Sequence, residues 1–201
     1  EFVWHGGEPT LLGVDFFRRV VELQKPFRGK KEIRNTLQTN AMRLDDEWCA
    51  FFKENDFFIG VSLDGPREIH DRYRKDRKGL GTFDRVMDGV RMLQKHGVEF
   101  NALACVGRET AYRPLEVYRF FKEAGINFIQ FTPIIEREAD EDTKVIKLWL
   151  ARPAVLDRPE PNTRVTPWTV EPEAYGDFLI AIYEEWVRKD VGTTFVMNFE
   201  W

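Results

Sequence analysis

Cysteine is scarce in this chain: its 201 residues include only Cys49 and Cys105. Two thiols cannot build a disulfide framework, and these two are not spaced as metal ligands, so both are expected to be ordinary buried thiols. Long apolar runs are missing as well. None approaches the roughly 20 residues that span a bilayer, and no charged-then-apolar leader precedes the first strand, so the expectation is a cytoplasmic protein with no membrane partner. Basic residues do not predominate, with 30 Lys and Arg against 34 Asp and Glu, which argues against a nucleic-acid groove. Gly-x-Gly-x-x-Gly, the P-loop ending Gly-Lys-Ser/Thr, His-Glu-x-x-His and the nucleophile elbow are all absent. What remains is ordinary apolar content with abundant aromatics, enough for one substantial core in a single soluble unit.

The most informative stretch lies almost at the first residue. Phe2-Val3-Trp4 runs as an apolar strand into His5-Gly6-Gly7-Glu8-Pro9-Thr10. Adjacent glycines permit positive φ and close approach of a ligand to the main chain, and Pro9 sets the exit toward a helix expected from Val14. A plain βα turn accounts for the same residues.

Strand and helix patterns then alternate. Phe16, Val20, Leu23 and Phe27 recur at helical spacing. Lys31 to Asn40 reads as a strand with Ile33, Asn35, Leu37 and Thr39 on one face. Asp45 and Asp46 open a helix that buries Trp48, Phe51 and Phe52 and stops at Asn55. Phe57 to Leu63 is a nearly continuous apolar run, as in a parallel strand buried on both faces, and Asp64-Gly65-Pro66 ends it. Arg67 to Gly81 is crowded with charge and reads as a loop, either solvated or in contact with a ligand. Thr82 starts a helix closed by Gly97, and the strand Val98 to Val106 follows. Pro114 starts another helix, closed by Gly125, and the strand Ile126 to Ile135 follows. From Glu136 to Glu171 the pattern breaks into acidic, proline-rich sequence, either disordered or a covering loop. The helix from Pro172 carries Tyr175, Phe178, Leu179, Ile182, Tyr183 and Trp186 as core, and Phe195 to Trp201 is a final strand-like run. Neither terminus resembles a natural domain edge, so a piece of a longer protein is expected.

Such alternation implies an α/β fold with a parallel sheet, either doubly wound or curled into a barrel, with every strand's carboxyl end on one rim. Gly6 to Pro9, Gln38 to Asn40, Ser62 to Gly65 and Thr132 to Ile134 collect there, which makes that rim the default binding site. Glu8 beside exposed carbonyls suits an amine, and the planar fork of Arg74 suits a carboxylate. A ligand carrying both groups is an amino acid.

Gly6-Gly7-Glu8-Pro9 at a strand end resembles the Gly-Gly-Glu-Pro motif of radical S-adenosylmethionine enzymes. Leu37-Gln38-Thr39-Asn40, Val61-Ser62-Leu63-Asp64-Gly65-Pro66 with Ile69-His70-Asp71 and Tyr73-Arg74, Pro114 to Tyr118, Phe128 to Phe131, Phe178 to Ile180, Glu185 to Arg188 and Asp190 to Gly192 extend the likeness in order. Together they resemble the anaerobic sulfatase-maturating branch of that superfamily.

The resemblance implies a partial (β/α)6 TIM-like barrel truncated at its first strand. Residues 1–201 would be a core-domain fragment with a covering loop at about 136–171 and the start of a connection to a further domain at 194–201. It implies S-adenosylmethionine and a 4Fe-4S cluster as cofactors, the cluster's ligands lying outside this chain. It implies oxidation of a Cys or Ser in a sulfatase peptide to formylglycine by hydrogen abstraction at the β-carbon, with an electron donor such as flavodoxin or ferredoxin. Gly6, Gly7 and Glu8 would hold the cofactor's amino group, Ser62 and Arg74 its carboxylate, and Ile134 would pack near the adenine, with Asn40 a further contact. No catalytic or metal-ligating residue is assigned within the chain. The sequence departs from the family pattern at His5, where many relatives have Gln, at Ala41, where Gly is usual, and at Met197 and Glu200, where Gln and Asp are expected. Another radical peptide-modifying enzyme, or a cluster-less adaptor, is the alternative.

Overall fold

A computed structural model describes residues 1–27, 29, 32–139 and 164–200. Six parallel strands, β1 (Phe2–Trp4), β2 (Asn35–Thr39), β3 (Phe57–Ser62), β4 (Phe100–Val106), β5 (Phe128–Pro133) and β6 (Phe195–Val196), form one sheet in sequential order. A doubly wound sheet reverses its strand order partway, and this one does not. It is an open, barrel-like sheet, with helices α1 (Val14–Gln24), α2 (Asp46–Glu54), α3 (Arg67–Tyr73), α4 (Phe83–His96), α5 (Pro114–Glu123) and α6 (Pro172–Lys189). Among the described residues, no helix is long and apolar enough to cross a membrane.

Register explains which residues are buried. Leu37 pairs with Ile59, Val61 with Ala102, and Ala102 with Ile129, and all five are buried. The alternate positions, including Gln38, Ser62, Cys105 and Thr132, share the opposite, concave face. The aromatics fasten the start of the sheet. Phe17 of α1 lies edge-on to Trp4, Trp48 and Phe57 at centroid distances of 5.5, 5.7 and 6.2 Å, so one fully buried ring joins two strands and two helices. Burial of such a ring contributes about 1.5–3 kcal/mol. Beneath it, Asn35 and Gln24 exchange reciprocal amide hydrogen bonds of 2.8 and 2.9 Å, and Trp4 Nε1 donates to Asn35 Oδ1 at 3.1 Å. The short β1 is thereby held in place, and with it the turn it delivers.

Most expected elements form, with shifted ends. Asp45 accepts from the Trp48 N–H as the cap of α2, and Gly97 and Gly125 close α4 and α5 with φ of +61° and +67°. The strand expected over 31–40 pairs only from Asn35 to Thr39, and the final strand is two residues, after which the chain turns. Arg67 to Tyr73 is a helix, where a charged loop was expected. The charges of Arg67, Glu68, Asp71 and Arg72 hid its inward side, which consists of Ile69 and His70 alone, both buried. In α6 Ala174, Phe178, Ile182 and Trp186 are buried, while Tyr183 is exposed.

Residues 140–163, most of the expected covering loop, lie outside the described residues. The two flanks of that segment are tied together. Arg137 and Val165 form an antiparallel bridge, Glu138 N donates to Arg164 O at 2.9 Å, and Thr166 N donates to Glu136 O at 2.9 Å. Thr169 Oγ1 joins the same knot, accepting from Glu136 N and donating to Glu136 O.

Candidate functional site

The carboxyl ends of β1, β2 and β3 enclose a cavity of about 290 Å³ lined by His5, Gly6, Gly7, Glu8, Gln38, Thr39, Asn40, Ser62 and Arg74. Six of the seven candidate residues from the sequence therefore meet in one place. Ile134 does not line it. That residue follows β5, where its N–H donates to Val106 O and its carbonyl accepts from Val170 N, both at 3.0 Å.

Gly6 and Gly7 have φ of +94° and +58°, a region costly for residues with a Cβ. A Cβ at either would meet no protein atom within 4 Å, so the turn leaves open space next to its backbone. Glu8 fixes that turn. Its Oε1 accepts from Thr10 N at 3.1 Å, Thr10 Oγ1 at 2.7 Å and Thr39 Oγ1 at 2.8 Å, and its Oε2 accepts from Asn40 N at 2.8 Å. The carboxylate thus stitches the end of β1 to the end of β2. Oε1 is saturated, while Oε2, with a single bond, retains acceptor capacity.

Asn40 begins a second tight turn, its Oδ1 accepting from Met42 N at 3.0 Å. Ala41 then takes φ +57°, a left-handed conformation that favours glycine over a residue with a Cβ. The carbonyl of Ala41 lies against Gly89 of α4, where an added Cβ would stand 2.2 Å from the oxygen.

Arg74 caps the carboxyl end of α3. Its Nε donates to Asp64 Oδ2 at 2.6 Å and its Nη2 to Asp64 Oδ1 at 2.9 Å, with Cys105 Sγ 3.6 Å from Nη2. Burial would lower the Arg74 pKa, but the Asp64 carboxylate outweighs it and raises it above the ordinary value, so the guanidinium stays charged. Its Nη1 has no hydrogen-bond partner among the described residues. Asp64 Oδ1 also accepts from Cys105 N at 2.9 Å. Behind the pair, His70 is fully buried. Burial first, with the nearby Arg74 charge, holds it down to about 4 against the pull of Asp64 and Asp71. Its Nδ1 accepts from Asp64 N at 3.4 Å, which leaves Nε2–H to donate to Thr82 Oγ1 at 3.0 Å.

Asp64, His70 and Thr82 support the site although local sequence does not mark them as doing so. Asp64-Gly65-Pro66 has the composition of a turn, and His70 sat within the presumed charged loop. The two thiols also differ. Cys49 is buried in α2, and burial with Asp45 and Asp46 nearby pushes it up to about 12. Cys105 is half-buried beside Arg74, raised chiefly by burial.

Taken together, the cavity offers a fixed guanidinium, the Ser62 hydroxyl and the Asn40 amide nitrogen, which donates to no partner among the described residues, to an anion. It offers Glu8 Oε2 and strand-end carbonyls to a cation. That set complements a zwitterionic amino-acid group.

Residues 1–119 match the Radical SAM superfamily model. The serine-type anaerobic sulfatase-maturating enzyme of Bacteroides thetaiotaomicron is 42% identical over 201 residues, covering 99% of this chain and 46% of that protein. The cysteine-type enzyme of Clostridium novyi is 32% identical over 196 residues, covering 97% and 47%. Among solved structures, native anSMEcpe with bound AdoMet and Cp18Cys peptide superposes with a TM-score of 0.81 at 34% identity, over 98% of this chain and 50% of that one. The chain thus spans about half the length of the curated relatives it matches.

Proposed function

The chain belongs to the radical SAM superfamily, and we propose that its rim cavity binds the methionyl end of S-adenosylmethionine in an enzyme that matures sulfatases. The supporting observation is the pairing of charges in one cavity, with Glu8 on the β1 turn and Arg74 after α3. Glu8 holds the Gly6-Gly7 turn open for the ammonium, and Arg74 with Ser62 takes the carboxylate. Asn40 borders the same end, and Ile134, on the neighbouring part of the rim, is assigned to the adenine side. Bound there with a 4Fe-4S cluster, the cofactor supplies one-electron hydrogen-abstraction chemistry. The cluster's ligands are assigned to sequence outside this chain, because two cysteines, Cys49 in a helix and Cys105 in a strand, are too few to hold a 4Fe-4S cluster.

The substrate is proposed to be a Cys or Ser of a sulfatase peptide, oxidised at its β-carbon to formylglycine. The similarity to both serine-type and cysteine-type relatives supports either residue. The concave sheet face, with exposed Gln38 and Thr132, is the side from which a peptide would reach the cavity. A low-potential donor such as flavodoxin or ferredoxin supplies the electron, in the cytoplasm.

Glu8→Ala in the full-length protein tests this reading. It removes the two bonds that join the turn to the end of β2 and the two that hold Thr10 within the turn, so S-adenosylmethionine affinity should fall about tenfold or more, on the scale of a lost charge-assisted site. Formation of 5′-deoxyadenosine under anaerobic reduction should fall with it. Unchanged affinity and turnover would sink the assignment.

A further inference from the structure

We propose that Asp64 is the positioning residue that makes Arg74 a reader of the ligand's carboxylate, with His70 and Thr82 completing its frame. The inference rests on the reading of the rim cavity as the methionyl site.

An arginine side chain has many rotamers, and ordering it at the moment of binding subtracts from affinity. Here the ordering is done in advance, at two points. The Asp64 carboxylate grips the Arg74 side chain by Nε and Nη2, the fork geometry that fixes the plane of the guanidinium. Separately, the Asp64 backbone reaches the Arg74 backbone: Asp64 N–H donates to His70 Nδ1, His70 Nε2–H donates to Thr82 Oγ1, and that hydroxyl donates to Arg74 O at 2.9 Å. The circuit closes on the same two residues from both ends. Asp64 is buried and takes a third bond from Cys105 N, so its carboxylate is itself anchored to β4.

This arrangement divides the guanidinium. The Nε and Nη2 side serves the protein, and Nη1 is left for a ligand on the cavity whose wall Arg74 forms. Since Asp64 already balances the charge, a carboxylate is selected by the fixed direction of the remaining donors more than by net attraction. Ser62, two residues before Asp64 and lining the same cavity, adds a hydroxyl on the same short segment.

The test is equilibrium binding to the full-length, cluster-reconstituted protein under anaerobic conditions, with S-adenosylmethionine and its decarboxylated analogue as probes. Asp64→Asn keeps the shape and removes the charge that orients Arg74. Affinity for S-adenosylmethionine should fall about tenfold or more, the scale of breaking a buried pair, while affinity for the decarboxylated analogue stays within about twofold, a spread typical of uncoupled changes. Thr82→Val cuts only the backbone arm and should cause a smaller loss with the same ligand selectivity, which keeps the question open to decision if Asp64→Asn folds poorly. Equal losses for both probes, or no loss in either variant, would overturn the positioning role. Wild-type protein that binds neither probe would instead overturn the methionyl-site reading beneath it.

Discussion

His70 shows how far a single residue's environment can depart from what its neighbours in sequence announce. It lies in the most highly charged stretch of the chain, yet it is fully buried and held near pH 4, against an ordinary value of 6.5. A histidine that stays neutral in the fold while the unfolded chain protonates makes stability depend on pH. Stability from this source is complete above about 6.5, declines as the pH falls from 6.5 toward 4, and is level below that, for a total of about 3 kcal/mol. Denaturant unfolding at pH 7.5 and 5 should reveal the decline, and His70→Asn should flatten this part of the profile while lowering the baseline. Parallel pH profiles for the two proteins would exclude His70 as the source. Glu8 is the contrasting case. Its place beside two glycines made it legible as a site residue, but its bonds from Thr39 and Asn40 depend on β1 lying next to β2, a long-range pairing that local pattern does not carry.

At the level of elements, the joints read more truly than the ends. Gly97 and Gly125 were predictable because a left-handed closing residue favours glycine, and the chain closes both helices with the same bonds. Val98 N reaches Leu93 O at 3.0 Å, and Ile126 N reaches Phe121 O at 2.9 Å. The helix α3 was illegible because two inward residues are too few to establish a period. Helix α4 illustrates a further limit: Thr82 heads it as expected, but the acceptor for the Phe83 N–H is Asp71 of α3 at 2.8 Å. Packing between elements yields a sharper test at Gly89, where α4 meets the Asn40-Ala41 turn. Gly89→Ala drives a methyl into the Ala41 carbonyl, so it should cost about 1–3 kcal/mol or more by overpacking and loosen ligand binding by moving Asn40. Gly176→Ala in α6, where an added Cβ meets nothing within 4 Å, should be neutral or stabilise by about 0.5–1 kcal/mol. Thermal unfolding of the pair decides it, and equal effects would discount the contact.

For the whole molecule, strand alternation made a parallel α/β fold legible, and the shared rim followed from it. The choice between winding patterns did not, because it is settled by which strand lies beside which. In the folded sheet β1 pairs only with β2 among the described residues. Phe2 and Val3 are exposed, and an apolar groove of about 470 Å³ lies alongside, lined by Trp4, Val20, Leu23 and Phe27 among others. Unpaired, apolar edges recruit further strands. The 201-residue chain expressed alone should therefore self-associate with rising concentration in sedimentation velocity, and Val3→Lys should suppress it; a monodisperse monomer throughout would refute the expectation. The clasp between residues 136–138 and 164–166 has the opposite effect, closing off what it encloses. Because these flanks are bonded to each other at the rim, the intervening 25 or so residues begin and end at one point, and lengthening them costs only a slowly growing closure entropy. That makes the span between the two flanks a point of insertion: residues can be added or exchanged between 138 and 164 while the clasp keeps its bonds and the six strands keep their register.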